Sequence, residues 1–326
     1  MVFLETGSTD CFFNMAFEEY VFEQFDWRES YFSLWQNENA VVVGRHQNTV
    51  AEINRNFVCE HDIQVVRRLS GGGAVYHDSG NLNFTFITDA RNTDNAHDFV
   101  YFIKPVLRAL TDIGVFAVMS GRNDLTIDGR KFSGNAQYTR HGRVLHHGTL
   151  LFNTNLQFLE AALTPSTLKL QSKGVSSIKS RVTNISEHTD ATMGDFRRLL
   201  LNSLFPSGVM KRDLTRDAIG EINELRDRKY AAWEWNYSQS PPYTMKTEKQ
   251  FAFGFVELLL DIKNGTIKNV RIFGDFFSQT DISPLESALI GARPTFNGIL
   301  DTLADRSITA DTFIIGMHNE DLAGML

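Results

Sequence analysis

The run Arg67-Arg68-Leu69-Ser70-Gly71-Gly72-Gly73-Ala74-Val75-Tyr76-His77-Asp78 joins two arginines to three consecutive glycines. Glycines remove every Cβ at a turn, so backbone N–H groups can face a bound anion closely, with a guanidinium as counter-charge. A plain glycine turn between strands has the same appearance, because glycine clusters are ordinary loop punctuation. No Gly-Lys-Ser/Thr follows and no G-x-G-x-x-G opens a helix here, so any nucleotide must be held by other means.

A second informative stretch surrounds Asp128-Gly129, a two-residue hairpin signal. On the returning strand Lys131, Ser133, Asn135 and Gln137 should share one face, and Phe132, Gly134, Ala136 and Tyr138 the other. One lysine among short hydrogen-bonding groups describes either a solvated face or a pocket wall. Lys131, the glycine nest and the arginines Arg45, Arg67 and Arg68 together suit activation of a carboxylate as an acyl-phosphate anhydride. Negative charge builds on oxygens in that reaction and a fixed cation stabilises it, each such donor being worth ~10²–10³ in rate. The alternative for Lys131 is a solvated lysine at a hairpin end.

Other chemistries find less support. His146 and His147 are adjacent on a strand and must point to opposite faces, and neither HExxH nor an i,i+4 carboxylate–His pair occurs, which argues against a protein-held catalytic metal. The nucleophile elbow G-x-S-x-G is absent, leaving Ser70 as a loop hydrogen-bonder. Cys11 and Cys59 lack CxxC spacing, which fits a reducing cytoplasm. A net charge of -7 excludes the excess of Lys and Arg that non-specific nucleic-acid binding needs, and no apolar run is long enough for a membrane span.

Several elements must position these groups. Phe13, Phe17, Tyr20, Val21 and Phe25 recur at helical spacing after Asp10, a candidate cap. Residues 31–35, 40–44, 63–67 and 82–87 read as strands, 40–44 as a buried central one and 82–87 as alternating. A helix over 96–113 contains Pro105, which should kink it or delay its start. Strands follow at 115–119, 124–128 and 144–152, and helices at 155–163, 193–205 and 215–229; the segment 164–190 is polar, with Lys169, Lys173, Lys179 and Arg181. Trp233 to Pro242 reads as a domain edge. Strands 251–262 and 267–276 then flank Asn264-Gly265, with helices at 284–291 and 295–304 and a weaker one at 309–317. A ββ(α) module of about 80 residues thus follows a larger α/β domain.

Strings in family order resemble the lipoate-protein ligases: Val43-Gly44-Arg45 with Gln47-Asn48, the double-Arg, triple-Gly run through Asn81, Ser120-Gly121-Arg122-Asn123-Asp124-Leu125, Arg130-Lys131-x-Ser133-Gly134, and His146-His147-Gly148-Thr149-Leu150-Leu151. Ser180-Arg181-Val182-Thr183-Asn184 and Trp233-Glu234-Trp235-Asn236 also resemble the family, and the tail is similar to the accessory domain of its long single-chain members. The resemblance implies an α+β protein of the biotin/lipoate ligase superfamily: mixed sheets packed by helices, not a Rossmann sheet, with a catalytic domain at 1–240 and a smaller α/β domain at 247–326. It implies that lipoate is activated with ATP and Mg²⁺ to lipoyl-AMP, releasing pyrophosphate, and then transferred to a lysine of lipoyl-domain acceptors such as 2-oxoacid dehydrogenase E2 subunits and the glycine cleavage H protein. Arg68, Gly73, Ala74, Val75 and Tyr76 are implied to hold the adenylate. Lys131 is implied to contact both lipoate carboxylate and α-phosphate, while Ser70, Gly72 and His147 line the lipoate site. Asn123 and Asp124 match positions that contact Mg²⁺ or the incoming lysine. An octanoyl or lipoyl transferase would need a cysteine nucleophile, and neither Cys11 nor Cys59 lies in the matching strings. A biotin ligase and a catalytically silent lipoate-binding protein are the remaining alternatives.

Overall fold

The structure is a computed structural model; it describes residues 1–90, 98–164, 181–237 and 243–326. Its strands are β1 (Val2–Leu4), β2 (Tyr31–Trp35), β3 (Ala40–Val43), β4 (Gln64–Arg67), β5 (Val75–His77), β6 (Asn81–Asp89), β7 (Val118–Ser120), β8 (Asp124–Ile127), β9 (Arg130–Arg140), β10 (Arg143–Leu151), β11 (Lys211–Arg212), β12 (Met245–Phe251), β13 (Gly254–Lys263) and β14 (Thr266–Gly274). Eight of them form one sheet in the order β11-β1-β2-β6-β10-β9-β8-β7, parallel at the β11-β1-β2 end and antiparallel elsewhere. A three-stranded sheet β4-β3-β5 pairs β3 parallel to β4 and antiparallel to β5. This is the mixed-sheet α+β architecture expected.

The helix Cys11–Gln24 starts at Asp10, whose carboxylate accepts the Phe12 N–H as anticipated. It is buried on most of its circumference, including Asn14 and Glu18, because it is packed between the large and small sheets. The helices Phe99–Asp112 and Met193–Leu204 cover the opposite face of the large sheet. Sheathed on both sides and flanked by β2 and β10, β6 is buried at every residue instead of alternating. Asp98 caps the helix at Phe99, and Pro105 lies in its interior, not in the first turn where a start shifted by the proline would have put it.

Strand 115–119 contracts to Val118–Ser120, at the exposed edge of the sheet. The segment Trp233–Tyr237 is a short helix tied to the larger portion, and the rest of the expected domain edge, 238–242, lies outside the described residues. Asn236 is buried there, accepting the Arg67 backbone N–H at 2.8 Å and donating to the Tyr230 carbonyl at 2.7 Å, while the Trp235 indole donates to the Arg67 carbonyl at 2.8 Å. Its polar flanks suggested an edge because the long-range partners of Asn236 are invisible in sequence.

The C-terminal portion is a sheet β12-β13-β14 with the helices Ser283–Leu289 and Phe296–Asp305 over its own apolar core. Asn264 and Gly265 both have positive φ, 54° and 71°, the type I′ turn their identities predict. Strand β12 and the helix Asn319–Ala323 escaped the sequence reading, and 309–317 holds only a 3₁₀ turn at Ala310–Thr312. Main-chain Phe276 and the Phe277 ring pack directly against Gly71 of the larger portion.

Candidate active site

The glycine run does not connect β4 to β6 directly. It feeds β5, which folds back antiparallel onto β3. Gly72 sits at φ +90°, a conformation side chains rarely adopt, and a Cβ there would lie 2.9 Å from Arg68 Nη2. Arg68 holds the loop by donating from Nη2 to the Gly71 and Gly73 carbonyls at 2.7 and 2.8 Å, from Nη1 to the Val42 carbonyl at 3.1 Å and from Nε to Ser70 Oγ at 3.1 Å. Burial, opposed by nearby Glu18, pushes its pKa down to about 10, so it remains a cation at neutral pH.

Ser70 is itself one link in a buried chain. Its Oγ lies 2.6 Å from His147 Nε2, and His147 Nδ1 lies 3.0 Å from both oxygens of Glu18. Only carboxylate oxygens face Nδ1, so that nitrogen carries a proton. Thr85 Oγ1 donates to Glu18, and the Trp35 indole donates to Thr85 at 2.9 Å. The chain ties the first helix, the three neighbouring strands β2, β6 and β10 and the glycine loop together.

Lys131 reaches the site through a β-bulge. Leu125 pairs with Ser133 but Thr126 pairs with Lys131, which leaves Phe132 as an extra residue on β9. The bulge breaks the expected alternation: Lys131 leaves the face of Ser133 and Asn135 and lies over Gly134, where a Cβ would come within 2.8 Å of its Nζ. Ser133 and Asn135 stay together, joined by a 3.3 Å hydrogen bond. The Lys131 ammonium sits 2.7 Å from Asp124 Oδ1, and Arg181 Nη2 lies 3.0 Å from Asp124 Oδ2. The Thr183 N–H donates to the Lys131 carbonyl at 2.9 Å, so the segment after 181 helps fix the lysine's backbone.

Two cavities meet at this lysine. The inner one, about 90 Å³, has Met15, Trp35 and Val42 in its apolar wall and His147 at its side. The outer one, about 210 Å³, is more polar and is bordered by Tyr76, Arg122, Asp124, Arg181 and Asp275. Lys131, Asn123 and Gly72 to Val75 line both. Asn123 Nδ2 donates to the Asn135 carbonyl at 2.6 Å, which holds it at the junction.

The sequence-nominated residues are thus largely brought together: Arg68, Gly72, Gly73, Ala74, Val75, Asn123, Lys131 and His147 around the inner cavity, with Tyr76 and Asp124 at the outer one. Ser70 lies behind the inner wall as a link to His147. Arg45 and Arg67 turn away from both cavities, so the counter-charge expected of them is absent from the site. The paired histidines point to opposite faces as anticipated: His146 stacks on Phe102 in the core at 4.7 Å while His147 faces the cavity. Cys11 is buried with its thiol pKa raised by burial, Cys59 is exposed, and neither borders either cavity. Lys169, Lys173 and Lys179 lie outside the described residues.

Sequence reasoning missed Glu18, Trp35, Arg122 and Asp275. Glu18 had a signal, since Asn14, Glu18 and Val21 fall at helical spacing on one side of the helix, and polar groups buried beside an apolar stripe must find partners. Asp275 had none, because it enters from the C-terminal portion.

An apolar cavity and a more polar one that share Lys131 in their walls have the geometry an acyl-activating site needs. Residues 10–205 match the sequence model of the lipoyl protein ligase A/B catalytic domain, and residues 240–326 that of the bacterial lipoate protein ligase C-terminus. The chain belongs to the lipoate-protein ligase family, in the form that carries the C-terminal domain. It is 42% identical over 310 residues to the lipoate-protein ligase LplJ of Bacillus subtilis, covering 93% of each chain. Among solved structures it superposes on P. falciparum LipL1 in complex with lipoate with a TM-score of 0.77, at 24% identity over 93% of both chains. A lipoate-protein ligase A bound with ATP gives 0.63 at 26% identity over 72% of this chain and 96% of that one. The bipartite lipoate protein ligase of Thermoplasma acidophilum, described with its E2 lipoyl domain, gives 0.65 at 26% identity over 75% of this chain and 98% of that one.

Proposed function

We propose that this chain activates lipoate with ATP and transfers the lipoyl group to a lysine of an acceptor protein. A lipoate carboxylate oxygen attacks the α-phosphorus of ATP, the bond to the β-phosphate oxygen breaks, and pyrophosphate leaves. The lysine nitrogen of the acceptor then attacks the acyl carbon of lipoyl-AMP, loses a proton, and AMP departs. One observation carries this reading: Lys131 stands in the wall common to the apolar inner cavity and the polar outer one. Its ammonium can therefore meet the carboxylate and the α-phosphate together, and the N–H groups of the Gly72–Val75 backbone add donors for the phosphate. About seven buried methylenes of lipoate contribute roughly 5–6 kcal/mol at ~0.8 kcal/mol each, so polar contacts must supply the remaining affinity.

No group of three metal-binding side chains exists among the described residues. The donor set fits an ion carried mainly by the triphosphate, with Asp124 as the carboxylate at the junction. Such an ion, when bound, draws off charge from the departing pyrophosphate. In this reading Gly73 to Tyr76 lie around the adenylate with Arg68 bracing their loop from the side of the inner cavity, Gly72 and His147 lie around lipoate with Ser70 behind them holding His147, and Asn123 and Asp124 stand beside the ion or the incoming lysine. Residues 1–240 form the catalytic domain in this reading, and the accessory one, expected from 247, includes all of β12 and so begins by Met245. Lipoyl-domain proteins are the acceptors in this reading, supported by the lipoyl domain named with the archaeal relative. Two free thiols agree with a cytoplasmic setting.

Pyrophosphate release is the deciding measurement. It should require both ATP and lipoate; release independent of lipoate, or acyl transfer from an octanoyl carrier protein without ATP, would sink the ligase assignment.

A further inference from the structure

A third cavity, about 210 Å³, lies where the catalytic and C-terminal portions meet, and it shares no lining residue with the two at Lys131. Its wall gathers three guanidinium groups: Arg45 after β3, Arg67 at the end of β4 and Arg271 on β14. Arg67 is buried and donates to neutral acceptors, the carbonyls of Gly44, Arg45, Gln47, Trp235 and Asn236 and the Thr49 hydroxyl. Burial first, then Arg45 and Arg271, pushes its pKa down to about 9, as expected of a cation repelled by its neighbours.

The carboxylates in the wall are Asp281 and Glu286, two against three guanidiniums. Both are partly committed elsewhere. Asp281 accepts the Ser283 N–H and stands 3.8 Å from Arg45, at the limit of an ion pair. Glu286 accepts the Ile272 N–H at 2.8 Å with the oxygen that lies 3.4 Å from Arg271 Nε. Gln47, wholly buried in the same wall, accepts the Gly44 N–H at 2.8 Å through Oε1, while its Nε2 finds no acceptor among the described residues. His46 borders the space too; its carbonyl accepts the Gly274 N–H at 2.8 Å and its Nε2 lies 2.7 Å from Ser278 Oγ, so both portions hold the wall in place.

We propose that this seam cavity binds a phosphate-class oxyanion, which bridges Arg45 on the catalytic side to Arg271 on the C-terminal side, with the buried charge of Arg67, whose N–H groups are all taken by protein acceptors, behind them. Two guanidinium forks reaching the cavity from separate portions, backed by a third fixed cation, suit a multiply charged tetrahedral anion better than a planar, singly charged carboxylate. The source is either free inorganic phosphate or the pyrophosphate that adenylation releases. The site stands independently of the lipoate reading, because its charges and cavity exist whatever the substrate.

Calorimetric titration of the full chain with inorganic phosphate, at ionic strength matched with sodium chloride, tests it. Wild type and Lys131→Ala should bind alike. Arg271→Gln should weaken binding by about tenfold or more, equivalent to about 1.4 kcal/mol. Gln47→Glu, which keeps an acceptor for Gly44 but adds negative charge to the wall, should abolish it; should that variant fail to fold, Arg271→Gln on its partly exposed strand decides. No heat with wild type, equal affinity in Arg271→Gln, or loss in Lys131→Ala each overturns the proposal. Repeating the titration with pyrophosphate assigns the source: an Arg271-dependent affinity above that for phosphate points to the reaction product, and one below it to free phosphate.

Discussion

Replacing Lys131 with alanine separates chemistry from stability. In the folded chain its ammonium pairs with Asp124 at 2.7 Å, the two side chains being 26% and 19% exposed. Asp124 keeps Arg181 at 3.0 Å after the substitution, so no buried carboxylate is stranded. A partly solvated pair of this kind contributes under about 1 kcal/mol, and the unfolding free energy should fall by no more than that. Adenylation should fall far more. If the ammonium stabilises charge developing between carboxylate and α-phosphate, its removal costs ~10²–10³ in rate, about 2.7–4 kcal/mol. Single-turnover pyrophosphate release measures the first step, and lipoyl transfer from supplied lipoyl-AMP isolates the second; the loss should concentrate in the first. Equal rates in variant and wild type would refute the assignment. So would a destabilisation as large as the kinetic loss, because the lysine would then act through the fold.

Glu18→Ala should cost about 1–3 kcal/mol for each buried group it strands, the His147 Nδ1–H and the Thr85 hydroxyl, and should raise the KM for lipoate; an unchanged KM removes Glu18 from the substrate site. Asn236→Ala should destabilise by about 1–3 kcal/mol, since the Arg67 N–H loses its acceptor in the interior, and a urea midpoint within error of wild type would contradict this. His46 and His77 are buried and held neutral, burial and then neighbouring arginines (Arg45 and Arg67 for His46, Arg68 for His77) pushing each pKa down to about 3. The unfolded chain therefore binds more protons between about 6.5 and about 3, so their contribution is complete above about pH 6.5 and is lost as pH falls through that window, each by up to ~1.4 kcal/mol per unit. A denaturant series flat from neutrality down to about pH 5 would refute the argument. If the C-terminal portion shifts between adenylation and transfer, scattering profiles with and without lipoyl-AMP will differ; identical profiles exclude the shift.

Much of the candidate site was legible because its parts are local. The glycine run, the Asp128-Gly129 hairpin and the strand carrying His147 announce their backbone geometry through residue identity alone, and the first helix through its spacing and cap. The arginines illustrate the opposite case. Arg67 and Arg68 stand together just before the glycines, yet Arg67 ends β4 and Arg68 follows it with its side chain the other way: Arg68 braces the loop, while Arg67 runs to Thr49 and Asn236. Alternation likewise misplaced Lys131, since a one-residue bulge at Phe132 shifts the face of everything before it.

The amino-acid sequence by itself determined which backbone turns exist, which segments are apolar enough to be interior, and, through its family strings, the chemistry the chain belongs to. Those are short-range properties, set by φ preferences, side-chain period and hydrophobicity. The tertiary structure alone decided which polar groups meet: Glu18 with His147 across 129 positions, Asn236 with Arg67 across 169, and Arg271 with the cavity walled by Arg45 and Arg67. A buried polar atom must find a partner, but its identity depends on how sheets and helices pack, and no local pattern in the chain carries that information.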